Sequence, residues 1–363
     1  MLTRFPSSLP MKKKKIDING KLIAPSSRGT LARMGKQKAD EAEGGPTKKA
    51  KSDETLRAFT SRMDGLVTDI VEALPKGLPA ETYSYIRKMC DYTCAGGKMT
   101  RGITVGNTFA AVLQSRGQTP TADELFRADV VGWCIEWLQA CFLVLDDIMD
   151  DSSVRRGQPC WYKVPGVGKM AINDGLILES CMWILLKKHL KSVDAATYVA
   201  VTELFQEVSL KTQLGQLLDM TTEAEDGTLD FTRFTTERYT SIVLYKTAFY
   251  SFYLPVAAGL TLAGVSGEAE LKQTEAICMG LGKYFQVTDD FLDCYGSPEV
   301  IGKVGTDIQD KKCSWLCVQA LSKCTKEQRQ IMQVIQLGVL VFCAHKCSPR
   351  GQGALVRRGA RLD

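Results

Sequence analysis

LFRADVVGWCIEWLQACFLVLDDIMD, Leu125–Asp150, is apolar at i, i+3 and i+4 as far as Leu145 and then turns acidic. That period predicts a long helix. It ends in Asp146, Asp147 and Asp150. Positions i and i+4 share a helix face, so Asp146 stands over Asp150, with Asp147 beside them. The same five-residue pattern returns as DDFLD, Asp289–Asp293, behind GKYFQVT, and sets Asp289 over Asp293 with Asp290 beside them. Acids this dense repel one another, and an all-oxygen ligand set favours hard Mg²⁺ over zinc. One copy reads equally well as a solvated helix end. Two copies, each closing an apolar helix, predict a pair of facing metal clamps.

Outward from this stretch the helical period continues through Ala171–Leu190, Ala195–Leu218, Thr235–Leu262 and Leu271–Leu292, with no alternating strand series. Turn-rich breaks fall at Pro75–Pro79, Gly117–Pro120, Gly157–Gly168, Thr222–Thr228, Gly264–Gly267 and Tyr295–Gly305. The fold class is all-α: one large helical bundle, with its site in a central cavity between facing helices. Domain organisation follows composition: a basic, structureless tail over 1–53, a helical domain over 54–332 and an atypical tail over 333–363.

The net charge of +5 is uneven. Residues 1–53 hold 13 basic against 5 acidic residues and residues 313–363 hold 8 against 2, which leaves 25 against 34 between them. The helical core is acidic, so the basic balance does not argue for nucleic acid. No run reaches the ~18 uninterrupted apolar residues of a membrane span. Thirteen cysteines are scattered through apolar helices, with two histidines and neither near Cys90/Cys94 or Cys313/Cys317. That speaks against zinc and for reduced thiols in a cytosolic-type compartment. His189 follows a lysine pair and reads as surface.

Beside the first acid cluster stand Arg155 and Arg156, two guanidiniums suited to a ligand rich in anionic oxygens such as diphosphate. GGKMT, Gly96–Thr100, is not a Walker A, because Met99 follows Lys98 and the upstream glycine is missing. Lys98 and Arg101, framed by glycines, can still grip a diphosphate. GVGKMA, Gly166–Ala171, fits a dinucleotide fingerprint but follows no strand, and reads as a helix-entry loop. In YKTAFY, Tyr245–Tyr250, a lysine buried unpaired among apolar residues would be costly, which favours ligand contact over plain aromatic packing.

AGGKMTRG (Ala95–Gly102), LQACFLVLDDIMDDSSVRRGQPCWY (Leu138–Tyr162), YKTAFYSFYLP (Tyr245–Pro255), FQVTDDFLD (Phe285–Asp293) and GKVGTDIQDKKCSW (Gly302–Trp315) occur in the order found in farnesyl diphosphate synthases, and the chain resembles the animal-type enzymes from about Leu56 to about Gln330. The resemblance implies an isoprenoid synthase fold, a homodimer and an Mg²⁺-dependent prenyltransferase, with Mn²⁺ as a substitute. Its substrates would be isopentenyl, dimethylallyl and geranyl diphosphates. It implies Asp146, Asp150 and Asp289 as metal ligands, with Asp147, Asp290 and Asp293 in support. Lys98, Arg101, Gln139 and Arg156 would hold isopentenyl diphosphate. Arg155, Lys246, Lys303 and Lys312 would hold the allylic diphosphate, with Asp307 ordering that end. Thr247 and Gln286 would present neutral oxygens to the carbocation. Cys141 and Phe142 would form the floor that limits product length, at fifteen carbons with some twenty-carbon leakage.

After Met332 the pattern departs into QVIQLGVLVFCAHKCSPRGQGALVRRGARLD, without further amphipathic helices. The resemblance then leaves two readings: a working prenyltransferase, or a non-catalytic isoform that binds ligand or pairs with a full-length subunit. A terpene cyclase would share the acid motif but would not need Lys98 and Arg101. The expected location is cytoplasmic, with mitochondrial import through MLTRFPSSLP as the alternative.

Overall fold

The structure, a computed structural model, describes residues 48–222, 230–297 and 305–333. Most of the chain that it describes is helical, as the periodicity predicts. The helices are α1 (Lys48–Thr60), α2 (Met63–Ala73), α3 (Ala80–Cys94), α4 (Thr100–Ser115), α5 (Ala122–Met149), α6 (Met170–His189) and α7 (Ala195–Met220). They continue with α8 (Thr236–Ile242), a π-helix (Val243–Tyr253), α9 (Leu254–Leu262), α10 (Glu268–Tyr295) and α11 (Trp315–Lys323). A two-stranded hairpin, β1 (Val154–Arg155) and β2 (Gln158–Pro159), follows α5.

Helix α5 starts sharply because Thr121 and Glu124 form a reciprocal capping box. From Val130 to Cys141 every residue is buried, so this is an all-round core helix rather than one with a single apolar stripe. By length and composition α5 could cross a membrane, but 78% of its most apolar window is buried inside the bundle. Helices α3, α4, α6 and α9 pack around it. Trp133 stacks on Phe59 at 4.9 Å and donates to its carbonyl (3.0 Å), which ties α1 to the core.

Three details differ from the sequence reading. Helix α1 begins at Lys48, inside the stretch expected to be structureless. The Thr235–Leu262 segment is helical throughout, but its middle is wound as a π-helix. His189 is half-buried: its Nε2 lies 2.7 Å from Asp69 Oδ2 on α2, and its ring meets Phe126 edge-on. Its partner is 120 residues away, so local sequence gave no sign of it.

Candidate active site

The C-terminal end of α5 carries the first acid pattern. Asp146 lies in the last helical turn and Asp150 is the C-cap, so the two share a face as expected. Lys246 Nζ stands 3.1 Å from Asp146 and 2.7 Å from Asp219. Lys312 Nζ stands 2.8 Å from Asp150 and 3.1 Å from Asp219. Gln216 donates to Asp146 Oδ1 at 3.0 Å. Three carboxylates thus meet two ammoniums. Burial works to raise the Asp219 carboxyl, and the two lysines outweigh it, so Asp219 lies below the usual carboxylate range. Burial and the Asp146 charge raise Asp150, against the pull of Lys312 and Lys246. Burial disfavours the ammonium of Lys246, yet Asp146 and Asp219 hold it above its ordinary value.

Lys246 reaches this cluster because α7 and the π-helix touch backbone to backbone. A Cβ on Gly215 would collide with Lys246 N and the Tyr245 carbonyl carbon. Only glycine permits that approach, and Asp219 then follows one turn after Gly215 on the same face. Irregular winding of this kind is frequent at functional sites.

The second pattern closes α10. Thr247, adjacent to Lys246, donates to Gln286 Oε1 (3.2 Å), and Gln286 donates to Asp290 Oδ1 (2.9 Å). Lys246 and Thr247 therefore link the two acid-bearing helices. Asp289 is half-buried. Asp290 also accepts from Trp315 N (2.7 Å), and burial raises its carboxyl. Asp293 accepts from Asp307 N (3.0 Å). Lys303 lies outside the described residues.

The structure refines the expected ligand set. Asp147 is buried, and Arg155 grips its carboxylate through Nε (3.0 Å) and through Nη2 in a short contact. Arg155 Nη2 also lies 3.6 Å from Asp146. The second acid of each pattern, Asp147 or Asp290, is turned about 100° from the first and is occupied by protein donors. Neither is an open ligand in this geometry. Arg155 is committed first to Asp147.

Two turns back from Asp146 along α5, Arg101 Nη1 lies 3.2 Å from the Gln139 amide oxygen when that amide takes the orientation satisfying both neighbours. Arg156 donates to the carbonyls of Ala95 (3.1 Å) and Gly96 (3.0 Å), bracing the glycine loop, and Lys98 is exposed beside it. Along α5, Phe142 meets Tyr250 of the π-helix edge-on at 5.7 Å. Cys141 is buried, with Glu179 of α6 as its charged neighbour. The two proposed floor residues therefore occupy different sides of α5.

Asp146, Asp150 and Asp289 are hard oxygen donors at half-buried positions, which suits Mg²⁺. Among the described residues no three acidic, histidine or cysteine side chains stand close enough to cage an ion unaided. Mg²⁺ is commonly held by one or two carboxylates plus water and substrate phosphates, so the residues fit an ion that arrives with a diphosphate.

Residues 83–338 match the family model described as polyprenyl synthetase. The chain belongs to the polyprenyl synthetase family. Farnesyl diphosphate synthase of Dictyostelium discoideum is 45% identical over 296 residues, covering 79% of this chain and 75% of the relative. Farnesyl pyrophosphate synthase of Rattus norvegicus is 51% identical over 248 residues, covering 68% and 69%. The fold superposes on T. brucei farnesyl diphosphate synthase complexed with bisphosphonate, with TM-score 0.72, 36% identity, and 80% and 86% of the two chains covered. The chain is thus an all-α member of this family and a relative of farnesyl diphosphate synthases. Sequence reading of this polyprenyl synthetase missed Gln216 and Asp219. The available signal was GQLLD, Gly215–Asp219: a glycine and two polar residues at helical spacing on an otherwise apolar stretch.

Proposed function

We propose that the chain condenses isopentenyl diphosphate with an allylic diphosphate, dimethylallyl then geranyl, to give farnesyl diphosphate. The carrying observation is the cluster at the α5 end, where Asp146, Asp150 and Asp219 share Lys246 and Lys312. Its mixed charge suits a diphosphate and a divalent ion together. Bound Mg²⁺, held by Asp146, Asp150 and Asp289, would neutralise the departing diphosphate. Lys246, Lys312 and Arg155 offer cations to the same leaving group. Thr247 and Gln286 turn neutral oxygens toward the allylic carbon as charge develops. Lys98, Arg101, Gln139 and Arg156 hold isopentenyl diphosphate so that its double bond meets the cation. Among the described residues no side chain near the site has an evident claim as base, so the proton passes to the released diphosphate.

Incubating the purified chain with Mg²⁺, geranyl diphosphate and radiolabelled isopentenyl diphosphate tests this. A labelled fifteen-carbon diphosphate, absent with chelator, is the expected result; no labelled product overturns it.

A second reading is a non-catalytic form that pairs with another subunit. Its supporting observation is the outer face of α10, where Ile277, Leu281, Tyr284, Phe285, Phe291 and Tyr295 are exposed. A homodimer is also proposed. Leu176 on α6 and Leu210, Leu214 and Leu217 on α7 give it an apolar face.

A further inference from the structure

Glu136 lies in the core run of α5 at 5% exposure and has no place in the chemistry above. A buried carboxylate is costly unless its oxygens are satisfied. Both are, and each does something different. Oε1 accepts from Gly102 N at 2.8 Å. Gly102 is the third residue of α4, and its N–H is one of the first-turn donors that the helix itself leaves without a partner. The bond is possible because α4 and α5 cross at a glycine pair: a Cβ on Gly132 would strike the Gly102 carbonyl. Glu136 follows Gly132 by one turn on the same face, and Gln139 follows three residues later.

In the Gln139 amide orientation that satisfies both neighbours, the other oxygen, Oε2, accepts from the amide nitrogen at 3.0 Å, and the Gln139 carbonyl faces Arg101 Nη1 at 3.2 Å. Arg101 Nε and Nη2 are also engaged. Nε and Nη2 donate to Ser251 Oγ (3.0 and 2.7 Å), Nη2 donates to Tyr250 Oη (3.2 Å), and the guanidinium sits 4.8 Å over the Tyr250 ring. Arg101 is held from α5 on one side and from the π-helix on the other.

We propose that Glu136 is a positioning residue for the isopentenyl diphosphate subsite: through Gln139 it fixes the orientation of Arg101, and through Gly102 it fixes the first turn of α4 that carries Arg101. This rests on the functional reading above. A cap for α4 alone would need only Oε1. The second oxygen directs the polarity of the Gln139 amide, and a reversed amide would set NH₂ against guanidinium. Burial raises the Glu136 carboxyl, opposed by Gly102 N–H and the charges of Arg101 and Arg156, so the site holds an acid at some electrostatic cost.

Glu136→Gln keeps shape and an acceptor for Gly102 but replaces the other acceptor by a donor. Steady-state kinetics of the full chain should show KM for isopentenyl diphosphate raised roughly tenfold, the scale of one misaligned charge-assisted hydrogen bond. The KM for geranyl diphosphate, kcat and Tm should stay near wild type. In an Arg101→Lys background the same change should add less than about twofold, because both act through one group. If Glu136→Gln does not fold, Glu136→Asp, which draws both oxygens back by one methylene, must show the same split. Unchanged KM, parallel changes in both KM values, or full multiplication in the double variant overturns the positioning role. Calorimetric binding of isopentenyl diphosphate to wild type separates the two levels. A wild type that neither binds it nor turns over overturns the functional reading and the subsite with it. A normal wild type matched by Glu136→Gln overturns the positioning role alone.

Discussion

Helices α5 and α10 end in the same acidic pattern but live in different surroundings. Helix α5 is buried all round, and its terminal carboxylates are met by Lys246, Lys312 and Arg155. Helix α10 packs one face on the π-helix and leaves a stripe from Ile277 to Tyr295 exposed. Its second acid, Asp290, is held by neutral donors, Gln286 and the Trp315 N–H. A repeated motif therefore fixes which side chains share a face, while the neighbours decide what each carboxylate can do. The first end gathers three carboxylates and two ammoniums in one place. The second couples to it through the Lys246–Thr247 step.

The largest expected effects break that pairing directly. Asp146→Ala and Asp289→Ala should each lower kcat by about three powers of ten or more, since each removes a ligand for the leaving-group charge. Asp293→Ala should cost less than about tenfold, because its carboxylate is engaged by Asp307 N. Steady-state rates at saturating substrate check all three. Asp293 matching Asp289 would mean that the α10 end is oriented differently.

Next in size is Asp219→Asn. It leaves Lys246 and Lys312 facing each other with one fewer carboxylate, and should lower kcat/KM for geranyl diphosphate by roughly ten- to a hundredfold, the scale of a disrupted buried charge pair. A KM effect confined to isopentenyl diphosphate would place Asp219 in the other subsite. Phe142→Ala should shift product from fifteen toward twenty carbons on chromatography, because the ring packed on Tyr250 is removed. Cys141→Phe should act more weakly, its side chain being buried on the α6 side. The smallest effect sharpens the contrast in cover. Leu281→Ser on the bare stripe should change unfolding free energy by less than about 0.5 kcal/mol, against about 2–5 kcal/mol for Leu185→Ala in the core. Equal losses in chemical denaturation would show that something covers α10.

Much of this was legible in the residues. The apolar period of Leu125–Leu145 and the Thr121–Glu124 cap define α5, and the doubled acid pattern marks both helix ends. What escaped depends on distant partners. Asp219 is one of three acids in α7, with Glu203 and Glu207, and only its meeting with Lys246 and Lys312 gives it a role. The inward turn of Asp147 follows from helix geometry, but Arg155 as its partner needed the hairpin after α5. The π-helix cannot be told from an α-helix by a short apolar run such as VLYKTAFY, because both periods place aromatics inside.

The central claim is that the two helix ends act on one diphosphate as a single site. A double-mutant cycle on the condensation rate with Asp146→Glu and Asp289→Glu, which keep charge and retain measurable turnover, tests it most directly. The double variant should be slower than the worse single variant by less than about threefold, because groups that act as a unit do not add. Losses that multiply in full would contradict it and separate the two ends.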